Sequence, residues 1–276
     1  MLRVTGLYLY PVKSCRGLTV ASAGVDARGF AGDCRFLIVD QDNRFLTQRV
    51  LPRMALIETG LVDDRLTLAT PGRASITVPR LSSLDPRPSS LRVIIWHDTV
   101  TADDCGDEAA AWLSDVLGLP CRLVRAGSAY ARPVLARKVP ATLGLTPATP
   151  HEVSFADGYP FLVIAEESLA DLNARLETPL PMNRFRPSLV VAGGAPYAED
   201  AWTRFRVGDV IFHGASRCGR CVITTTDQLT AARAPEPLRT LAKYRLDPDG
   251  DVKFGRNVVH ETKSGRVAVG DAVELL

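Results

Sequence analysis

Phe36-Leu37-Ile38-Val39-Asp40-Gln41-Asp42-Asn43-Arg44-Phe45-Leu46-Thr47 sets two apolar runs on either side of a turn-forming cluster. Asp and Asn favour turns because their side chains bond the nearby main chain, while aromatic and β-branched residues suit a pleated surface. The stretch therefore reads as a hairpin, Phe36 to Val39 against Phe45 to Thr47. The same pattern recurs around it. Arg3 to Tyr10 is apolar and aromatic and stops at Pro11, which cannot donate to a sheet ladder. Ala55 to Leu61 and Leu66 to Ala69 flank Asp63-Asp64, and Ser75 to Val78 and Arg92 to Trp96 follow. Short strands at regular spacing imply a small β-barrel.

Asp104 to Leu117 changes period. Ala109, Trp112, Leu113 and Val116 share one helical face, and Gly118 can close the helix. Cys121 to Val124 returns to strand, so this helix is expected to pack on the barrel. Residues 126–150 turn to Ala, Gly, Ser, Pro and Thr, with Arg132, Arg137 and Lys138. They read as a linker at a domain junction, or as a lid, between domains at 1–125 and 151–276. In the second half, Phe161 to Ala165 is a buried strand, and Ser168 to Leu176 an amphipathic helix with Leu169, Leu172 and Leu176 as its stripe. Ser188 to Ala192, Val210 to His213, Val258 to Glu261 and Val267 to Leu275 are strands, with a helix near Pro237 to Tyr244. The fold class is mixed, mainly β (α+β).

At 276 residues, with 46% hydrophobic and 23% charged residues, the chain is of globular composition and long enough for two domains. A formal charge of +2 is too small to make nucleic acid or an anionic membrane the main partner. Cys15, Cys34, Cys105, Cys121, Cys218 and Cys221 follow no framework spacing, which suits a reducing compartment. The amino terminus lacks a charged leader, and no apolar run reaches the roughly 18 residues of a membrane span. A cytoplasmic protein is expected.

Ala215-Ser216-Arg217-Cys218-Gly219-Arg220-Cys221 joins a soft metal ligand to anion-binding groups in what reads as one loop. Guanidinium groups lower a thiol's pKa and offer rigid donor forks to phosphate or an oxyanion. A bare Cys-x-x-Cys also fits a redox pair, half a zinc site or two buried cysteines. Lys13 and Ser14, leaving the first strand, could bind phosphate or form a solvated turn. Asn183-Arg184-Phe185-Arg186-Pro187 could aim an arginine into a pocket or carry ordinary surface charge. His97, His151, His213 and His260 share no ligand spacing, and no Gly-rich phosphate loop is present.

Several segments, taken in order, point to one family. They are Tyr10-Pro-Val-Lys-Ser-Cys-Arg-Gly17, Gly32-Asp-Cys-Arg-Phe36 with Thr47-Gln-Arg49, Asp104-Cys-Gly-Asp107 and Ser168-Leu-Ala-Asp-Leu-Asn-Ala-Arg-Leu176. Phe185-Arg-Pro187, Tyr197-Ala-Glu-Asp-Ala-Trp202, Cys218-Gly-Arg-Cys-Val-Ile-Thr-Thr225, Glu236-Pro-Leu238 and Phe254-Gly255 complete them. The chain resembles MOSC-domain proteins with the N-terminal MOSC β-barrel, a group that includes the mitochondrial amidoxime-reducing components and bacterial relatives.

The resemblance implies an N-terminal β-barrel with a helix and a C-terminal MOSC β-barrel with peripheral helices. It implies a molybdenum cofactor (Mo-molybdopterin) whose metal takes Cys221 as its protein ligand, with Cys218 one helical turn away. Lys13 and Ser14 match the positions that hold the pterin's phosphate, and Arg186 the arginine that grips the cofactor. Asp157, Gly158, Gly219 and Arg220 match the loops around it. One departure stands out: in Gly32-Asp33-Cys34-Arg35-Phe36, Cys34 occupies the place of a family arginine. Either Arg35 compensates or a charge-assisted bond worth about 1.5–3 kcal/mol is missing.

The activity implied is reduction of N-hydroxylated compounds (hydroxylamines, amidoximes). Because the chain ends at Leu276 without further cysteines, a separate ferredoxin-like, haem or flavin protein is expected as electron donor. The rival readings are a sulfur-carrier module holding persulfide on Cys221, and a zinc or iron-sulfur protein using Cys218 and Cys221 with Cys15, Cys34 or Cys105.

Overall fold

The computed structural model describes residues 1–63, 65–79, 89–135 and 151–276. Asp64 and most of the expected linker or lid, including Arg137 and Lys138, lie outside the described residues. The first half carries β1 (Arg3–Leu9), β2 (Leu18–Thr19), β3 (Ser22–Asp26), β4 (Gly29–Phe30), β5 (Phe36–Val39), β6 (Glu58–Val62), β7 (Arg65–Ala69) and β8 (Ile76–Pro79). It continues with β9 (Ser90–Ile95), β10 (Asp98–Asp104), α1 (Asp107–Leu117) and β11 (Arg122–Arg125). The second half carries β12 (Phe161–Ala165), α2 (Glu166–Asn173), β13 (Leu189–Ala192), β14 (Arg204–Val207) and β15 (Val210–Gly219). It ends with α3 (Leu238–Leu241), β16 (Lys253–His260), β17 (Arg266–Ala268) and β18 (Val273–Leu275). The chain is mainly β, as expected.

The run Phe36-Leu37-Ile38-Val39 is continuous because both faces of β5 are covered. Phe36 and Ile38 join one core with Met54, Leu66, Leu68, Leu113 and Leu123. Leu37 and Val39 join another with Val93, Ile95, Val124 and Phe155. A strand buried on both sides needs no alternation. Its expected hairpin partner shrinks to a bridge between Val39 and Phe45, with Asn43 at φ 57 in the turn. Leu46 still donates to the Ile38 carbonyl at 2.8 Å. Ala55 falls in a 3-10 turn, Pro52–Leu56, because Pro52 presets its entry. Helix α1 starts at Asp107, since Asp104 stays in β10. Gly118, at φ 70, closes it by donating to the Ser114 carbonyl at 2.8 Å.

The two halves are sewn together at the amino terminus. The eight-stranded sheet runs β18-β14-β15-β16-β12-β13-β1-β2, so β1 completes the second half's sheet by pairing Leu7 with Leu189. Strand β3 likewise pairs Ala23 with Val267 in β17. Val4, Leu7, Val25 and Phe30 consequently share one core with Phe161, Phe205, Phe212 and Val258. The chain leaves β1 at the seam between the halves, so the turn that follows faces both. Among the described residues, no helix is long and apolar enough to cross a membrane.

Candidate functional site

A cleft of about 590 Å³ opens at that seam. Its floor begins where β1 ends. Val12 bridges Phe36, and Lys13 donates its amide to the Phe36 carbonyl at 2.9 Å, which fixes the turn. Ser14 takes φ 65 there. Lys13 is only 5% exposed, and its ammonium is paired with the Asp157 carboxylate. Partial desolvation in the cleft would raise the Asp157 pKa, but the Lys13 and Arg49 charges outweigh it and hold the half-exposed carboxyl well below the usual range. Trp96 Nε1 adds a bond to Asp157 Oδ1 at 3.3 Å, and Arg49 reaches Oδ2 at 3.5 Å.

Arg132 holds the 154–157 segment in place. It is buried, pairs with Asp98 at 2.7 Å, and donates to the carbonyls of Ser154, Ala156 and Asp157 at 3.1, 2.6 and 3.2 Å. Beside the turn, Asp33 accepts the Tyr10 amide at 2.6 Å. Burial pushes its carboxyl up to about 6, against the pull of that bond and of Arg35 and Arg186. Cys34, at φ 50, has its thiol pushed up by burial.

The second half closes the cleft from the other side. Arg186, at φ 53, donates to the Cys15 carbonyl at 2.7 Å and stacks 4.0 Å from the centre of the Tyr10 ring. Tyr10 returns a bond to the Pro187 carbonyl at 3.1 Å, so the two distant segments lock on each other. The cysteine segment is not a loop until after Gly219. Strand β15 continues through Cys218, with register shifts that let it bend toward the cleft. Cys218 is therefore extended and not a helical turn from Cys221. Cys221 heads a 3-10 turn, Val222–Thr225, and its carbonyl accepts the Thr224 amide at 3.1 Å and hydroxyl at 2.9 Å.

The flanking arginines do not converge on Cys221. Arg220 donates to Cys218 Sγ at 3.1 Å and to the Phe185 carbonyl at 2.6 Å, while Arg217 pairs with Asp247 at 2.7 Å. Lys13, Ser14, Asp157, Gly158, Arg186, Gly219, Arg220 and Cys221 all line the one cleft. Arg35 does not. It grips Asp26 at 2.6 and 2.8 Å and the Phe30 carbonyl at 3.3 Å. Cys34 faces the cleft from a left-handed turn position, while the Arg35 guanidinium is committed to Asp26 and the Phe30 carbonyl outside it.

Arg49, Trp96, His97 and Arg132 also line the cleft and were not among the expected site residues. Arg49 lay within the family-like Thr47-Gln48-Arg49 and was the one with a visible signal. Two guanidinium nitrogens in the wall, Arg49 Nη1 and Arg220 Nε, are buried without a hydrogen-bond partner. Among the described residues, no three His, Cys, Asp or Glu side chains gather into a metal-holding group. Of the further donors that the zinc or iron-sulfur reading needs, Cys15 and Cys105 belong to the apolar core beneath α1, and Cys34 lines the cleft but joins no such group among the described residues.

Family models for the MOSC N-terminal beta barrel domain and the MOSC domain match residues 1–120 and 150–274. The chain belongs to the MOSC-domain proteins that carry the N-terminal MOSC β-barrel. It is 36% identical to mitochondrial amidoxime-reducing component 1 of Mus musculus, covering 99% of this chain and 82% of that protein. The human component 1 is 33% identical with the same coverage. Molybdenum cofactor sulfurase of Danio rerio is 33% identical across 94% of this chain, which spans 32% of that longer protein.

Proposed function

We propose that this protein is a molybdenum-cofactor oxidoreductase that reduces N-hydroxylated compounds with electrons from a separate donor protein. The observation that carries the reading is convergence. The Lys13-Ser14 turn, Arg186 and the Gly219-Arg220-Cys221 segment lie far apart in sequence and line one cleft. Five cationic side chains (Lys13, Arg49, Arg132, Arg186, Arg220) face three carboxylates (Asp33, Asp98, Asp157) in its lining. The unpartnered nitrogens of Arg49 and Arg220 fit an anionic ligand, because a buried guanidinium donor left unmatched is costly. Relatives named amidoxime-reducing components supply the substrate class.

Lys13, Ser14, Arg49 and Arg186 would hold the phosphate and pterin. Asp157, Gly158, Gly219 and Arg220 would surround them, and Cys221 would give a soft thiolate to the metal. When bound, the cofactor supplies the two-electron chemistry that cleaves an N–O bond. In the net reaction, R–NHOH takes two electrons and two protons and yields R–NH2 and water. The chain's own part is to orient the ligand on fixed cations and to exclude bulk water. Asp33, titrating near 6, keeps a proton in the cleft in part of the molecules near neutral pH. Six cysteines, all free, suit a cytoplasmic, reducing location.

Elemental analysis of the purified protein tests the reading. Molybdenum near stoichiometric, lost in Cys221→Ala and kept in Cys218→Ala, is the expected result, together with benzamidoxime reduction by an artificial electron donor. Zinc instead of molybdenum, or equal metal loss in both variants, would refute it. The similarity to a molybdenum cofactor sulfurase motivates a second reading, a sulfur carrier using Cys221. Metal-replete protein without turnover would favour that one.

A further inference from the structure

The hairpin joining β9 to β10 closes with two residues, Trp96 and His97, between the paired Ile95 and Asp98. Such loops favour Gly, Asn or Asp because the first position needs positive φ. Here that position is Trp96, at φ 56, a conformation disfavoured for a bulky side chain. Burial does not explain its choice, because Trp96 remains 37% exposed and His97 is exposed beside it.

The indole is nevertheless held. Its Nε1 bonds Asp157, the Arg49 guanidinium lies 4.6 Å from its centroid, and the Phe45 ring sits 5.0 Å away at 53°. These contacts fix the ring at the wall of the cleft, next to the Lys13–Asp157 pair. Among the described residues, Trp96 and Leu135 are the large apolar side chains that both line the cleft and stay exposed. The entrance therefore offers a flat apolar surface beside a charged floor.

We propose that Trp96 is a specificity-determining residue that stacks on the flat part of the substrate. It selects N-hydroxylated compounds in which the carbon bearing the N–OH group is conjugated to an aromatic ring. The inference rests on the reductase reading above. An aryl amidoxime is planar and can lie offset on an indole, whereas hydroxylamine has no face to offer. A residue suited to the backbone there, Gly, Asn or Asp, would provide no ring.

The test compares kcat/KM for benzamidoxime and for hydroxylamine in the metal-loaded protein, for the wild type, Trp96→Ala and Trp96→Phe. The ratio is expected to fall about 3- to 10-fold in Trp96→Ala, mainly through KM, and to stay within about 2-fold in Trp96→Phe. Equal losses on both substrates would assign Trp96 to positioning Asp157 alone and overturn the proposal. If neither substrate is reduced, the reductase reading fails separately. Titration of tryptophan emission with benzamidoxime then decides the contact. Saturable quenching that is lost in Trp96→Phe supports it, and no quenching in the wild type overturns it.

Discussion

Asp33→Asn isolates a proton equilibrium built into the cleft. Asp33 is 7% exposed, and its carboxyl titrates near 6, compared with about 3.9 for an unperturbed aspartate. Burial is the leading cause; the Tyr10 amide and the Arg35 and Arg186 charges recover only part of it. A carboxyl with a raised folded pKa binds its proton more tightly when folded. Its contribution to stability is fully present below about pH 4 and is lost as pH rises through about 6. At about 1.4 kcal/mol per tenfold, the gap corresponds to about 2–3 kcal/mol. Asparagine cannot ionise, yet its carbonyl can still accept the Tyr10 amide. Because part of the gap is already lost at pH 4.5, the wild type should lose about 2 kcal/mol more than the variant between pH 4.5 and 8. Urea unfolding at both pH values measures this, and taking wild type minus variant cancels the other titrating groups. A difference that does not change with pH, or one that favours the wild type more at pH 8, would refute the reasoning.

Asp157→Asn strands the Lys13 ammonium in a buried site and should destabilise the protein by about 2 kcal/mol at pH 7. That is less than the roughly 3–5 kcal/mol of a fully buried pair, because the carboxylate is open to solvent. Since the Asp157 pKa is depressed, the cost should shrink as pH falls below the usual carboxylate range, and thermal melting against pH checks this. Arg132→Met removes a buried cation from Asp98 and three carbonyls of the 154–157 segment, at an expected cost of about 3–5 kcal/mol. A loss below about 1 kcal/mol by chemical denaturation would mean that the segment holds itself.

Much of the strand content was legible because local pattern and final environment agree. Phe36 to Val39 reads as strand alone, and its lack of alternation follows from its two covered faces. What could not be read is pairing across long separations. Nothing in Arg3 to Tyr10 announces that β1 pairs with β13 nearly two hundred residues later. Strand β10 was missed because Asp98, Thr99, Thr101, Asp103 and Asp104 dilute its apolar pattern, although its ladder with β9 is complete. The cysteine segment looked like a loop because Gly214 and Gly219 punctuate it. In fact strand β15 bends there without ending, through two register shifts.

The site divides along the same line. Lys13, Arg186 and Cys221 were reached through family likeness, whereas their geometry depends on backbone states that residue type does not announce. Ser14, Cys34, Trp96 and Arg186 are four of the eight non-glycine residues with positive φ among the described residues, and all four line the cleft. Strained conformations persist only where surrounding contacts over-determine them. Here the Arg186–Tyr10 stack, the Arg132 anchors and the Asp157 pair are those contacts. Arg35, next to the missing arginine at position 34, is tied to Asp26 and the Phe30 carbonyl and does not line the cleft. Arg49, fifteen residues away, does line the cleft, with a buried guanidinium nitrogen still unpaired. Positive charge at this site is thus a property of the fold's convergence and not of any one motif. A count of arginines near Gly32-Asp33 would therefore misjudge its capacity for an anion.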